Sequence, residues 1–135
     1  MDKRKTILIV DDEKELVGLV SLHMNMSGFD ILTAYDGKEA LEACVSKGPD
    51  LVVLDLMMPK IDGIEVCRVL KNRPDTRDIP VVILSALSDT EEKLKAFGVG
   101  ADDYVTKPFS PRELSIRVRK ILEREEVKKS TGTIV

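Results

Sequence analysis

Five short apolar or β-branched runs alternate along the chain with segments of helical length: Ile7 to Val10, Ile31 to Ala34, Leu51 to Leu54, Val81 to Leu84 and Tyr104 to Thr106. No other feature constrains the fold as much. Strands separated by helices pair in parallel through right-handed crossovers, so the helices must cover both faces of one sheet. The expected architecture is therefore a doubly wound α/β sandwich of five βα units, for which the common strand order is 2-1-3-4-5. In that order, ligands bind at the carboxyl ends of strands 1 and 3, where the winding reverses. The third run ends abruptly on Asp55, and Pro59 keeps the backbone from continuing as sheet.

Between the runs, apolar residues recur at helical spacing. The predicted inner stripes are Leu16, Leu19, Val20, His23 and Met24 in the first helix, and Ala40, Leu41, Cys44 and Val45 in the second. Val66, Cys67 and Leu70 form the third, Leu94 and Phe97 a shorter fourth, and Leu114, Val118, Ile121 and Leu122 the fifth. At the edge of its stripe, His23 is expected to be partly buried packing. Each helix opens with a capping pair: Asp12/Glu15, Asp36/Glu39, Asp62/Glu65, Ser88/Glu91 and Ser110/Glu113. Pro111 fits the first helical position, where a missing N–H costs nothing. Gly28, Gly48, Gly98 and Gly100 mark helix ends, and Pro74 punctuates the third.

A length of 135 residues with 43% hydrophobic content suits a single domain with its own core. We assign residues 1–126 to it, and 127–135 to a tail or the start of a linker. Twenty-one basic residues against 24 acidic ones give a net charge of -3, which argues against direct nucleic-acid contact by this domain. Cys44 and Cys67 form no CxxC pair and are expected as buried free thiols. The opening residues do not read as a signal peptide and no stretch reaches membrane-span length, so a cytoplasmic protein is expected.

The residues that follow each strand are the informative ones. Strand 1 ends in Asp11 and Asp12, strand 3 in Asp55, strand 4 in Ser85 and strand 5 in Lys107 and Pro108. Strands 1 and 3, as neighbours about 5 Å apart, would bring three carboxylates together. Such crowding calls for a proton or a cation, most naturally Mg²⁺. A hydroxyl from Ser85 and an ammonium from Lys107 complete a site suited to phosphoryl oxygens, with Asp55 placed as the nucleophile.

These residues, together with Asp55-Leu56-Met57-Met58-Pro59, Asp62-Gly63, Ser85-Ala86 and Asp102 to Phe109, resemble the response-regulator receiver domain of two-component signalling. The resemblance spans residues 5 to about 126. It implies a phosphoryl group on Asp55, donated by a sensor histidine kinase, a phosphotransfer protein or a small phosphodonor. It implies Mg²⁺ held by Asp12, Asp55 and the backbone carbonyl of Met57, with Asp11 acting through water. Lys107 would pair with the phosphate, its bond to Pro108 would be cis, Ser85 would move toward the phosphoryl group and Tyr104 would rotate inward. Neither Met57 nor Leu87 is acidic or amide-bearing, which in this family implies an aspartyl-phosphate that is not short-lived. Lys93, Asp103, Glu113 and Arg117 resemble the ion-pairing residues of a phosphorylation-dependent homodimer across the helix 4, strand 5, helix 5 face in the winged-helix transcription-factor subfamily.

The output is then either transcription, through an attached DNA-binding domain not in this chain, or relay through a stand-alone receiver. An enzyme reading, a haloacid-dehalogenase-type phosphatase, lacks its second aspartate in Asp11-Asp12-Glu13-Lys14. A flavodoxin-like flavin carrier shares the expected fold, but the acidic turn after strand 1 would repel its phosphate.

Overall fold

The computed structural model describes residues 4–132. Met1 to Lys3 and Thr133, on which parts of the sequence reading fall, lie outside them. The strands are β1 (Thr6–Val10), β2 (Asp30–Ala34), β3 (Leu51–Asp55), β4 (Val81–Ser85) and β5 (Asp103–Thr106). They alternate with α1 (Lys14–Met26), α2 (Gly37–Lys47), α3 (Gly63–Lys71), α4 (Thr90–Gly98) and α5 (Pro111–Gly132). All four strand pairings are parallel, in the expected order β2-β1-β3-β4-β5.

The period of two in the strands divides the core. Leu8, Val10, Val52, Leu54, Val81 and Ile83 face Cys44, Val66, Cys67, Leu70 and Ala96 of α2, α3 and α4. Ile7, Ile9, Leu51, Val53, Val82 and Leu84 face Val17, Val20 and Met24 of α1 and Leu114, Val118 and Ile121 of α5. Every residue of β3 is buried, which explains the unbroken apolar run. Each of its large side chains contributes about 1.5–3 kcal/mol by leaving water. Cys44 and Cys67 are buried free thiols, as expected.

Two helices turn a different face inward from the one their apolar residues suggest. α1 packs through Val17, Val20 and Met24, leaving Leu19 58% exposed. It has more apolar residues than one face can hold, and those at i, i+3 and i+7 from Val17 take the inner one. In α4 only Ala96 is buried, while Leu94 and Phe97 are exposed. Val45 of α2 is likewise exposed, whereas His23 is half-buried as expected.

Asp36, Asp62 and Ser110 cap their helices, accepting from the N–H of Glu39, Glu65 and Glu113. α4 is capped one residue later than expected, by Asp89 bonding Glu92 N–H at 2.9 Å. The N-cap of α1 is Glu13, without a side-chain bond, rather than Asp12, whose carboxylate lies in the acid cluster. α5 continues as helix to Gly132, across most of the segment read as a tail.

Candidate functional site

Parallel pairing in register fixes the first elements of the site. Val10 lies opposite Leu54, so β1 and β3 finish side by side and deliver Asp11, Asp12 and Asp55 to one edge. One carboxylate oxygen of each lies within 4.8 Å of the others. Asp11 and Asp55 are buried, whereas Asp12 is exposed. β5 adds Lys107, whose backbone N–H bonds the Ser85 carbonyl at 2.7 Å and so ties it to the end of β4. The Lys107–Pro108 bond is cis.

The ammonium of Lys107 lies 3.1 Å from Asp11, 3.4 Å from Asp55 and 3.8 Å from Glu13. The three acids it meets are therefore Asp11, Asp55 and Glu13 rather than the full aspartate trio. Asp11 is fully committed, with one oxygen to Lys107 and the other to the Glu13 N–H at 3.0 Å. Asp12 makes no hydrogen bond or ion pair among the described residues and remains available to an incoming ion.

Burial pushes the Asp55 carboxyl up to about 6 and the charge of Asp11 adds to that, while Lys107 and the backbone N–H of Met57 pull the other way. Burial works against the Lys107 charge, but hydrogen bonds and charge from Asp11 and Asp55 prevail and hold the ammonium above its ordinary value. Three carboxylates against one ammonium leave an excess of negative charge. Hard oxygen donors with that excess are what a small dication requires, so the residues fit Mg²⁺.

Ser85 is fully buried at the end of β4, its hydroxyl accepting the Leu87 N–H at 2.9 Å. Tyr104 is already turned inward: it is buried, and its hydroxyl donates to the Leu87 carbonyl at 2.6 Å. Leu87 is the shared anchor of both side chains.

The profile of the response regulator receiver domain matches residues 7–119. The chain belongs to that family. Among curated relatives, this receiver is 48% identical over 123 residues to the alkaline phosphatase synthesis transcriptional regulatory protein PhoP of Bacillus subtilis, covering 91% of the receiver and 50% of that protein. It therefore spans about half the length of the curated relatives it matches. Among solved structures, the receiver domain of Francisella response regulator 1452 superposes with a TM-score of 0.85 at 40% identity, covering 90% of this chain and 98% of that one. DrrB of Thermotoga maritima, an OmpR/PhoB homolog, gives a TM-score of 0.80 at 40% identity over 91% of this receiver and 54% of its own length.

Beyond the acid cluster, the residues expected to pair across a homodimer interface make contacts within this receiver. Asp103 and Glu113 both pair with Arg117, at 3.0 and 3.3 Å, but within one molecule. Lys93 lies over the ring of Tyr104, 5.9 Å from its centroid. Met57 is 61% exposed and lines a shallow groove with Leu87 and Pro59, so its side chain is not core. The pairing of Glu13 with Lys107, the backbone of Leu87 and the packing of Gly63 were not foreseen, although Gly63 stood in a quoted motif. A Cβ on Gly63 would lie 2.4 Å from the Asp55 carbonyl oxygen. For Gly63 a signal existed, a glycine directly after a capping aspartate, where helices seldom place one. No sequence pattern marks a backbone anchor such as Leu87. No helix among the described residues is long and apolar enough to cross a membrane.

Proposed function

We propose that this receiver takes a phosphoryl group on Asp55 and uses it to control an output. One observation carries the proposal: a buried carboxylate at the end of the central strand, 3.4 Å from Lys107 and beside two further aspartates. An Asp55 oxygen attacks phosphorus, the bond to the donor nitrogen or oxygen breaks, and the leaving imidazole or acid carries away that electron pair. Asp12, Asp55 and the Met57 carbonyl would hold Mg²⁺ directly and Asp11 through water; when bound, the ion supplies charge neutralisation for the phosphoryl oxygens. Lys107 orients one phosphoryl oxygen, and the Ser85 hydroxyl leaves Leu87 to bond another.

The donor is a sensor histidine kinase or a phosphotransfer protein. The role is that of a switch rather than a metabolic enzyme, placed in the cytoplasm and acting on transcription through a DNA-binding domain outside this chain. The names of relatives about twice its length support this output. A phosphorylation-dependent homodimer through Lys93, Asp103, Glu113 and Arg117 would deliver the signal.

Labelling with radioactive acetyl phosphate in Mg²⁺ tests the assignment. Asp55→Asn is expected to reduce incorporation to background, and labelling at the wild-type rate would refute it. Ser85→Ala should still be labelled while its amide spectrum changes less on phosphorylation. A full spectral response in that variant would remove Ser85 from the switch.

A further inference from the structure

The loop between β3 and α3 runs directly from the proposed phosphoacceptor, and the backbone N–H of Met57 within it interacts with the Asp55 carboxylate. Its ends are tied to the strand. Leu56 N–H bonds the Leu84 carbonyl at 2.8 Å, and Gly63 N–H bonds the Leu56 carbonyl at 2.8 Å. Between these ties the chain turns sharply, with Ile61 N–H bonding the Pro59 carbonyl at 3.0 Å and Lys60 in the left-handed region at φ 72. A lysine held there is strained, so the turn needs support from outside.

That support comes from the amino terminus of α2. Gly37 is buried, and a Cβ placed on it would lie 2.9 Å from Ile61 Cβ, 2.9 Å from Val66 Cγ2 and 3.0 Å from the Ile61 carbonyl oxygen. Unlike Gly28, Gly48 and Gly100, Gly37 does not occupy the left-handed region. Conformation does not call for glycine here, and glycine in a helix is disfavoured by about 0.5–1 kcal/mol relative to alanine. Close approach is what requires it. The neighbouring cap residue Asp36 reaches the same turn, 3.9 Å from Lys60.

We infer that Gly37 is a positioning residue for Asp55: its missing side chain lets Ile61 seat against α2, which fixes the turn that presents Met57 to the Asp55 carboxylate. α2 thereby bears on the site's geometry through the turn that its amino terminus supports. The inference rests on the proposed ion site, and it predicts a defect there that a packing fault alone would not produce.

The experiment titrates Mg²⁺ into wild type, Gly37→Ala, Gly37→Ala/Val66→Ala and Ile61→Ala, and records the Met57 amide and Asp55 carboxyl carbon resonances before the ion is added. Gly37→Ala is expected to weaken Mg²⁺ binding roughly tenfold, as loss of an outer support does, and to shift both resonances. Val66→Ala clears the α3 side only and should not restore them. Ile61→Ala withdraws the contact from a half-buried position without crowding the core, and should weaken binding in the same direction, so it decides the matter should Gly37→Ala not fold. Wild-type binding and unshifted resonances in Gly37→Ala and Ile61→Ala would overturn the inference, as would recovery with Val66→Ala. Asp12→Ala separates the two readings: Mg²⁺ binding unchanged there means the ion site is misplaced, and the ion-free resonances then decide on Gly37.

Discussion

The two ends of the sheet use the same residue types to opposite effect. At the amino end acids are paired with bases: Arg4 with Asp30 at 2.9 Å, Lys5 with Glu126 at 2.8 Å and Lys71 with Asp102 at 3.2 Å. The carboxylates there also hold backbone, Asp50 taking the Thr6 N–H and Asp102 the Val81 N–H, both at 2.8 Å. At the carboxyl end Asp11, Asp12 and Asp55 cluster; Asp11 and Asp55 are buried and share Lys107, while exposed Asp12 does not reach it. One end spends its charges on joining strand to helix. The other stores unfavourable charge that a cation can relieve.

The largest test of this contrast is the pH dependence of the ion-free protein. Asp55 titrates near 6 in the folded state against 3.8 unperturbed, so the native state binds more protons than the unfolded chain between those values. Stability should therefore fall as pH rises through that interval, by as much as about 3 kcal/mol. Urea unfolding in chelator across pH 4 to 7 measures it. Asp55→Asn should flatten the Asp55 contribution and be the more stable protein at pH 7, and Mg²⁺ should stabilise wild type more than the variant. A variant less stable than wild type at pH 7 in chelator would mean that the cluster is not under strain.

At the other end the sign reverses. Lys71 reaches the carbonyls of Ile79 and Arg77 as well as Asp102, and its stem packs beside Gly100, which occupies φ +104. Lys71→Met keeps the stem but leaves Asp102 without its nearest cation. Removing one partner of a fully buried pair costs about 3–5 kcal/mol, and this pair retains some solvent, so a loss of about 2 kcal/mol is expected in urea. Mg²⁺ affinity should not change. A weakened ion site in Lys71→Met would show that the two ends are coupled.

How much of this could be read beforehand follows from what each feature depends on. Strand order and the convergence of Asp11, Asp12 and Asp55 depend on chain order and on the handedness of crossovers, both local in sequence. So do the caps Asp36, Asp62 and Ser110. The inner faces of α1 and α4 depend on which of several apolar residues the sheet has room for, and Leu19, Leu94 and Phe97 were misplaced for that reason. The partner of Tyr104 was equally hidden, since the acceptor its hydroxyl finds is a backbone carbonyl at Leu87, seventeen residues away. Gly37 was legible only as a residue type, because the space it vacates belongs to Ile61 and Val66.

The smallest effect lies on the face formed by α4, β5 and α5, whose ion pairs resemble Lys71–Asp102 in chemistry but are more exposed. Arg117 is held above its ordinary pKa chiefly by the hydrogen bond it donates to Asp103, against some burial, yet its side chain is 42% exposed. Solvent screening reduces such a pair to below about 1 kcal/mol, so Arg117→Ala should barely shift urea unfolding, in contrast to Lys71→Met. In a homodimer these pairs would exchange an internal partner for one across the interface, with little net gain. They would set register, while exposed Leu94 and Ile116 would supply the apolar area. Sedimentation with a beryllofluoride phosphate mimic separates the two contributions: Arg117→Ala should weaken association severalfold at unchanged stability, and Leu94→Ala should weaken it further. A wild-type monomer at micromolar concentration with the mimic bound would remove the homodimer from the proposed output and leave the internal pairs as surface electrostatics.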